Sequence, residues 1–439
     1  MTENDEIRNQ FLNSLKLGTG KTYLILKQNP SIDFSDLIVK GAVENFAYDA
    51  QAEGSRANYI FKLIQKSKQK EKITSTILTK LVSKKTDDYG LDQLCDLAVL
   101  FHKAGNLKAK DALYKRFEKN IIDGYEICGQ SQMMEIDGLN GVLKYAEIIG
   151  EILSKDVDDY EQSWRIDSFQ KDNKQIDVYK EIEKASKENI FIEVFYKSIL
   201  EHKWKIPRRK KTKRFTYEIV KEKIDSEKFF FISSEKANEL SVFDVEKLAN
   251  EFLIEKNITQ KEHYLSFFSK RKFPFDYKPI LKIANSKSPK NSRLNEYAFE
   301  CLQYFSAKEI RDIAIEKLKS EKNTTDYLNL LVGNYEIGDY KILNNIADKS
   351  DDYDYIHSIV FGFLDIYKAN KTKECKEPLE KIYHKMNCGL HRDDILEILN
   401  ENGVLSKEIV TEMEFDSNEK VRKMFRLPAI AKPRNVGGN

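Results

Sequence analysis

The first segment whose residues could do chemistry is the sequence LGTGKT at positions 17–22. Its Gly-Lys-Thr ending is shared with the phosphate-binding P-loop, in which backbone amides and the lysine hold phosphate groups. A P-loop, however, follows a buried strand and has its first glycine five residues before Gly20, where this chain has Leu15. Ile7, Phe11 and Leu15 instead have the spacing of one helix face. We therefore predict a glycine-broken turn between two helices and no nucleotide hydrolysis.

A second candidate group consists of the charged residues Asp49, Glu53 and Arg56. Two carboxylates this close in the chain could act as a general acid and base, or could hold a metal ion. No histidine or partner motif accompanies them, whereas acidic residues are commonly stabilised by the positive end of a helix. With Ser55 available as a helix cap, the pattern favours a structural role at the start of a helix.

Cysteine and histidine form one dense group, Cys375, His384, Cys388 and His391. His384 and Cys388 are four residues apart and can share a helix face, so a tetrahedral zinc site is sterically conceivable. The spacing matches no standard zinc finger, and ordinary residues at helix ends explain it as well. We predict no metal site and no cofactor. The five cysteines are odd in number and dispersed, unlike the disulfide framework of a secreted protein.

The largest departure from average composition is the basic run at 203–214. So many like charges repel one another and cannot be buried, and Pro207 disfavours a helix before it, so we predict an exposed connection. Such a run could neutralise phosphates, while Trp204, Phe215 and Tyr217 could stack on unpaired bases. A solvated linker, or a site for an acidic partner, explains the same residues. The predicted nucleic-acid contacts are Lys203, Trp204, Lys205, Arg208, Arg209, Lys210, Lys211, Lys213 and Arg214.

The spacing of apolar residues predicts helices along almost the whole chain. Stripes such as Ile73, Ile77 and Leu81 fit one face of a helix, and glycine and proline, at 18 and 8 residues, are scarce. The Gly-Asn pair at 105–106 can close one helix in the left-handed conformation, which predicts an antiparallel helix hairpin. Only the aromatic run at 229–232 resembles a strand.

Each predicted helix is too short to bury its apolar face alone. Stacked antiparallel helix pairs solve that problem, so we predict an all-α solenoid. The basic run divides it into an N-terminal helical-repeat half at 1–202 and a C-terminal half at 215–427. Residues 203–214 then form the connection, and residues 428–439 form a tail.

Two motifs in the last third of the chain carry a family resemblance. The sequence IRDIA at 310–314 resembles the second helix of a HEAT repeat, and Asp416, followed by Val421 and Arg422, resembles the Asp-x-x-x-x-Val-Arg entry to such a helix. Met424 and Phe425 lie where the family usually has a small residue. The resemblance implies that the aspartate caps the helix and that the arginine packs along the stack.

The resemblance implies a shape more than a chemistry. Residues 17–56 also resemble the start of uncharacterised bacterial HEAT-like proteins, which implies no activity. HEAT-like folds are shared by proteins of unrelated activities, and they present a concave surface to a protein, a peptide or a nucleic acid.

Charge and hydropathy restrict the location of the protein and its partners. With 73 basic and 71 acidic residues, the chain has no global field that would drive it onto nucleic acid or an anionic membrane. The acidic N-terminus does not resemble a signal peptide, and no stretch approaches the roughly 20 apolar residues that span a bilayer. We expect a soluble cytoplasmic protein with no membrane partner.

Two functions follow from these expectations. The first is a non-enzymatic binding or scaffold protein that presents a concave helical-repeat surface to a protein partner. The alternative is a nucleic-acid-binding protein that resembles the HEAT-like alkylpurine DNA glycosylases, with Trp164, Trp204, Asp158 and Asp159 as the residues that suggest it. A basic concave face would favour the alternative.

Overall fold

The computed structural model confirms the predicted all-α fold. The protein is 71% helical, with 27 α-helices and no strand among the residues whose structure is described. Those residues divide into two compact units. The described ranges are 2–84, 89–123, 128–156, 158–203, 215–226, 231–287, 292–320 and 325–427, without the side chains of 120–123.

Unit 1 combines three stretches of the chain, residues 1–208, 387–390 and 407–439. Most of its helices come from the first stretch, and two short helices come from the last. They are α1 (Glu3–Leu17), α2 (Lys21–Gln28), α3 (Ser35–Val43), α4 (Ala50–Glu53), α5 (Ala57–Lys66), α6 (Lys70–Ser83), α7 (Tyr89–Lys103), α8 (Leu107–Asp123), α9 (Gln130–Asp137), α10 (Leu139–Leu153), α11 (Trp164–Asp172), α12 (Val178–Ser186), α13 (Ile190–Glu201), α26 (Lys407–Met413) and α27 (Glu419–Phe425).

Unit 2 contains residues 209–386 and 391–406. Its helices are shorter on average, and two 3₁₀ turns, Asn329–Leu331 and Lys373–Cys375, lie between them. The helices are α14 (Tyr217–Asp225), α15 (Ser234–Ala237), α16 (Val242–Ile254), α17 (Ile258–Phe268), α18 (Lys278–Ala284), α19 (Leu294–Leu302), α20 (Lys308–Ser320), α21 (Thr325–Leu328), α22 (Tyr340–Ala347), α23 (Tyr353–Ala369), α24 (Lys376–Tyr383) and α25 (Gly389–Glu401), whose first two residues belong to unit 1.

Neighbouring helices of unit 1 pack as pairs. The predicted hairpin of α7 and α8 is confirmed, because these helices pack together and Gly105 between them has a left-handed φ of 93°. Helix α10 packs on α13 so closely that a Cβ on Gly150 would overlap the carbonyl group of Phe191. The apolar faces form one continuous core from Phe11 to Ile199, and each large side chain buried there contributes about 1.5–3 kcal/mol.

The last described segment of the chain packs against the first helices within unit 1. The backbone N–H of Ser417 donates to the carbonyl oxygen of Gly18 at 2.8 Å. The rings of Tyr23 and Phe415 stack with their centroids 4.0 Å apart. A Cβ on Gly20 would overlap the carbonyl oxygen of Glu412, so α2 and the end of α26 meet at backbone contact.

The two motifs that resemble HEAT helices differ in how closely they follow the family pattern. In unit 2, Arg311 on α20 donates to both carboxylate oxygens of Asp339 at 2.6 and 2.8 Å, as an arginine that bonds the neighbouring turn would. In unit 1, the cap of α27 is Asn418, not the expected Asp416, because Asp416 accepts the N–H of Asn418 instead. The protein is therefore a helical-repeat-like all-α protein.

The helices of the described ranges are short or carry many charged residues. None of them combines the length and the apolar character needed to cross a membrane.

Candidate functional site

The P-loop-like segment is a turn between two helices, as the sequence predicts. Gly18 ends α1 in the left-handed conformation, with a φ of 77°, and Gly20 directly precedes α2. Lys21 is exposed at the first position of α2. A helix, not a strand, precedes the turn, so the phosphate-binding geometry of a P-loop is not formed here.

The acidic group before α5 has a structural role. Asp49 caps α4 by accepting the N–H groups of Gln51 and Ala52 at 3.0 Å. Glu53 accepts the N–H of Gly389 at 2.7 Å and lies 3.6 Å from the guanidinium of Arg56. These carboxylates are used to hold the fold, as predicted.

Arg56 is a buried hub of unit 1. Its guanidinium donates to the carbonyl oxygens of Lys16 at 2.8 Å and Asn387 at 2.7 Å. Its own backbone N–H donates to the side chain of Gln93 at 2.9 Å. Arg56 thus connects the regions around residues 16, 93 and 387, which lie far apart in the sequence.

The structure does not bring the four cysteine and histidine residues near the end of the chain into one group. Burial raises the pKa of the Cys375 thiol to about 11, which keeps it protonated rather than ready to bind a metal. Across the described part of the chain, no group of three metal-ligand side chains includes Cys375 or His384. The ring of His391 lies beside that of His357, with the centroids 4.6 Å apart, and Cys388 is buried in unit 1.

The predicted nucleic-acid contacts lie almost entirely outside the described residues. Lys203 is described and exposed, whereas residues 204–214 are not described. The role of the basic run stays a prediction. Two of the residues that suggested a glycosylase-like site have local contacts. The guanidinium of Arg165 lies 4.2 Å from the centroid of the Trp164 ring, and Asp159 accepts the N–H of Tyr160 at 2.8 Å.

A cleft of about 530 Å³ in unit 1 combines positive charge with aromatic rings, and we call it the basic cleft. Its volume falls in the range of pockets that hold small molecules, roughly 300–1,000 Å³. Its walls come from α2, from α5, from the residues after α26 and from α27. The lining residues are Tyr23, Phe61, Lys62, Gln65, Lys66, Glu414, Phe415, Arg422, Phe425 and Arg426.

Helical spacing explains why these side chains share one space. On α5, Lys62 and Lys66 are four residues apart, as are Phe61 and its cleft neighbour Gln65, so both pairs project from one side. The opposite side of α5 carries buried apolar residues that anchor it in the core. Arg422 and Phe425 on α27, with Arg426 directly after it, form a second such face.

The lining of the basic cleft carries more positive than negative charge. Four cations line it against one carboxylate, Glu414, and within the described ranges none of the four forms an ion pair. Burial lowers the pKa of the Lys62 ammonium, and the nearby guanidiniums of Arg422 and Arg426 lower it further against the opposing effect of Glu414. An anion that entered the cleft would relieve this repulsion.

One of these cations is held in place by the backbone. Arg422 donates to the carbonyl oxygens of Asp416 at 2.6 Å and Ser417 at 2.7 Å. Partial burial lowers the pKa of its guanidinium against the opposing effects of Asp416 and Glu419, and Arg426 lowers it further. Because the group is fixed before any ligand arrives, it costs little conformational entropy to bind an anion.

Two further depressions adjoin the basic cleft. One, of about 360 Å³, shares Lys66 with it and adds Lys27 and Lys68. The other, of about 530 Å³, shares Gln65 and adds two further lysines and the ring of Phe101. Together they extend a basic surface along the junction of α5 and α6.

The sequence contains a signal for this site, but the signal lies in charged residues and not in the apolar residues that form the core. Lys62, Lys66, Arg422 and Arg426 are two pairs of cations at helical spacing, each with a phenylalanine beside it. Phe425, one of two adjacent large residues at which the chain departs from the HEAT pattern, lines the cleft. The sequence alone gives no indication that α5 and α27 lie together.

Comparisons with known proteins add no family to this description. No protein-family model matches the chain, and no curated protein sequence matches it.

Proposed function

We propose that this protein is a HEAT-like, non-enzymatic binding protein whose partner is a nucleic acid held in the basic cleft of unit 1. The observation that carries the proposal is the cluster of four cations around one carboxylate, with aromatic rings in the same walls. Phosphates supply the charge that such a cluster lacks, and bases supply flat faces for the rings.

The composition of the chain makes this cluster unusual. Basic and acidic residues number 73 and 71, so a surface drawn from this composition mixes both signs. Elsewhere in unit 1, lysines pair with carboxylates, as Lys103 does with Glu135 and Lys110 with Asp137. A local excess of unpaired cations is the usual footprint of a polyanion site.

The architecture supports a binding protein over an enzyme. Helical repeats stack into extended surfaces that suit long partners, and the fold by itself specifies no chemistry. The basic run at 203–214 could extend the contact with phosphates, and it forms a separate part of the same proposal.

The test is binding of a mixed-sequence oligonucleotide, followed by fluorescence anisotropy across a salt series. In the variant, Lys62, Lys66 and Arg426 are changed to Gln, and Arg422 is retained because it bonds the backbone. We expect steep salt dependence in the wild type and a roughly 10- to 100-fold weaker affinity in the variant. Removal of one phosphate interaction should reduce the slope of log K against log salt by about 0.7–0.9.

A matched control removes the same charge elsewhere in unit 1. Lys180, Lys184 and Lys187 are exposed on or beside α12, and their change to Gln should leave binding nearly unchanged. Equal losses of affinity in the two triple variants, or no binding at low salt, would refute the proposal. Replacement of Arg208, Arg209, Lys210 and Lys211 by Ser measures how much the basic run contributes to the affinity for the oligonucleotide.

The lowered pKa of Lys62 predicts a pH dependence of binding. Only the protonated ammonium attracts phosphate, and a bound phosphate raises the pKa, so affinity should fall as pH rises through the lowered pKa of the free protein. The fall should begin below the pH at which an ordinary lysine loses its proton. A Lys62→Arg variant, which stays charged, should show a flatter profile as pH rises above neutrality. Identical profiles would show that Lys62 does not contact the anion.

A protein partner is the second candidate, and exposed apolar side chains in unit 2 favour it. Val242, Phe243 and Ile254 on α16 are 67%, 75% and 78% exposed. Exposed apolar side chains that form a contiguous patch often belong to protein interfaces. Loss of a co-purifying protein when Phe243 and Ile254 are changed to Ser would support this scaffold function.

A further inference from the structure

We infer that the basic cleft receives the unpaired bases of a single-stranded nucleic acid, an inference that rests on the proposed function. Charge alone would suit the phosphates of a duplex equally well. The feature that distinguishes the two is the aromatic share of the lining, four rings among ten residues.

The rings occupy different walls of the cleft. Tyr23 and Phe415 stack face to face with an interplanar angle of 11°, so each ring covers one face of the other and has its second face directed away from the pair. Phe61 projects from α5 and Phe425 projects from α27. All four rings are partly exposed, although Phe61 also packs at a tilt against Phe101.

A duplex cannot use such a recess without being opened. Its bases are already stacked and paired, so it would touch only the cations at the rim with its phosphates. An unpaired base can enter and stack on a ring, which typically increases affinity about tenfold or more per base.

The neighbouring depressions extend the surface along which a strand could bind. Lys66 and Gln65 are shared between the cleft and the two depressions along α5 and α6, so a strand that leaves the cleft meets further lysines, Lys68 and Lys70, on either side. A basic groove that follows a backbone, with rings that stack on bases, is the arrangement of single-strand binding surfaces.

The experiment compares one labelled strand of about 20 nucleotides with the duplex of the same sequence. The wild type should bind the single strand about tenfold or more tightly. The variant carries Phe61→Leu and Phe425→Leu, and it should lose that preference while its duplex binding and salt dependence stay unchanged. Phe361→Leu, at a 51% exposed phenylalanine in unit 2, is the matched control and should change nothing.

Three further measurements help to interpret the result. Far-ultraviolet circular dichroism checks the fold, and Phe425→Leu alone serves if the double variant unfolds. A strand that contains 2-aminopurine should lose fluorescence on binding the wild type, because stacking quenches that base, and should lose less with the variant. A free mononucleotide should compete only at concentrations far above those of the strand.

The outcomes separate this inference from the proposed function. If no nucleic acid binds, both fail. If nucleic acid binds and the lysine and arginine variant weakens it, but duplex and single strand bind equally and the phenylalanine variants have no effect, only the single-strand inference fails. Complete displacement by an equimolar mononucleotide would overturn it in favour of a small-molecule site.

Discussion

Replacement of Arg56 by Met is expected to destabilise unit 1 by about 3–5 kcal/mol. The change removes the donors for two carbonyl oxygens, those of Lys16 and Asn387, inside the protein. It also leaves Glu53, whose side chain is 7% exposed, without its cationic neighbour. A buried carboxylate without a cation beside it is costly even where a backbone N–H group, here that of Gly389, still donates to it.

Thermal unfolding followed by circular dichroism measures this effect, and a fall of the unfolding temperature by about 10 °C is expected for a unit of this size. The matched control is Arg293→Met, which breaks an ion pair with Glu296 on the surface of unit 2. Exposed pairs contribute about 0–1 kcal/mol, so the control should unfold almost as the wild type does. Equal shifts in the two variants would contradict the role of Arg56 as a hub.

Replacement of Gly20 by Ala is expected to separate α2 from α26, at a cost of about 3 kcal/mol. Gly20 has a φ of −67°, which any residue adopts, so the cost is not one of backbone conformation. It arises because the new Cβ would overlap the carbonyl oxygen of Glu412, and a backbone atom cannot rotate away. The displacement would also move Phe415 away from Tyr23 and distort the basic cleft.

Hydrogen exchange measured by mass spectrometry locates this change. Peptides that cover α2 and α26 should exchange faster in the Gly20→Ala variant, while peptides from α23 should not. Gly333→Ala is the control, because its new Cβ would have no neighbour closer than 3.6 Å. Unchanged exchange in α2 and α26 would show that the two helices are not in close contact.

The sequence predicts most helices because their cause is local. The hairpin around Gly105 follows from apolar spacing and one left-handed residue, both of which can be read within a few positions. The degree of burial is less predictable. Leu143 and Ile313 have the helical spacing of their buried apolar neighbours, yet they are half-buried, since burial depends on which other helix covers that face.

The candidate site could not be predicted because it forms only where segments distant in the chain come together. Lys66 and Glu414 line one cleft although roughly 350 residues separate them in the chain, and no spacing rule connects such positions. From the local sequence, the basic run at 203–214 is the expected site of contact with phosphates. The cations of the cleft are sparse in the sequence and become a cluster only in the folded protein.

The division of unit 1 into stretches that flank unit 2 has a consequence for biosynthesis. A ribosome must add roughly 200 residues after the first stretch before α26 and α27 emerge, which takes about 10–40 s at ordinary rates of elongation. During that interval the nascent chain exposes the surface that α26 will cover, where Gly20 and Tyr23 lie. Chaperones that recognise unfinished proteins would therefore encounter this one at its N-terminal helices.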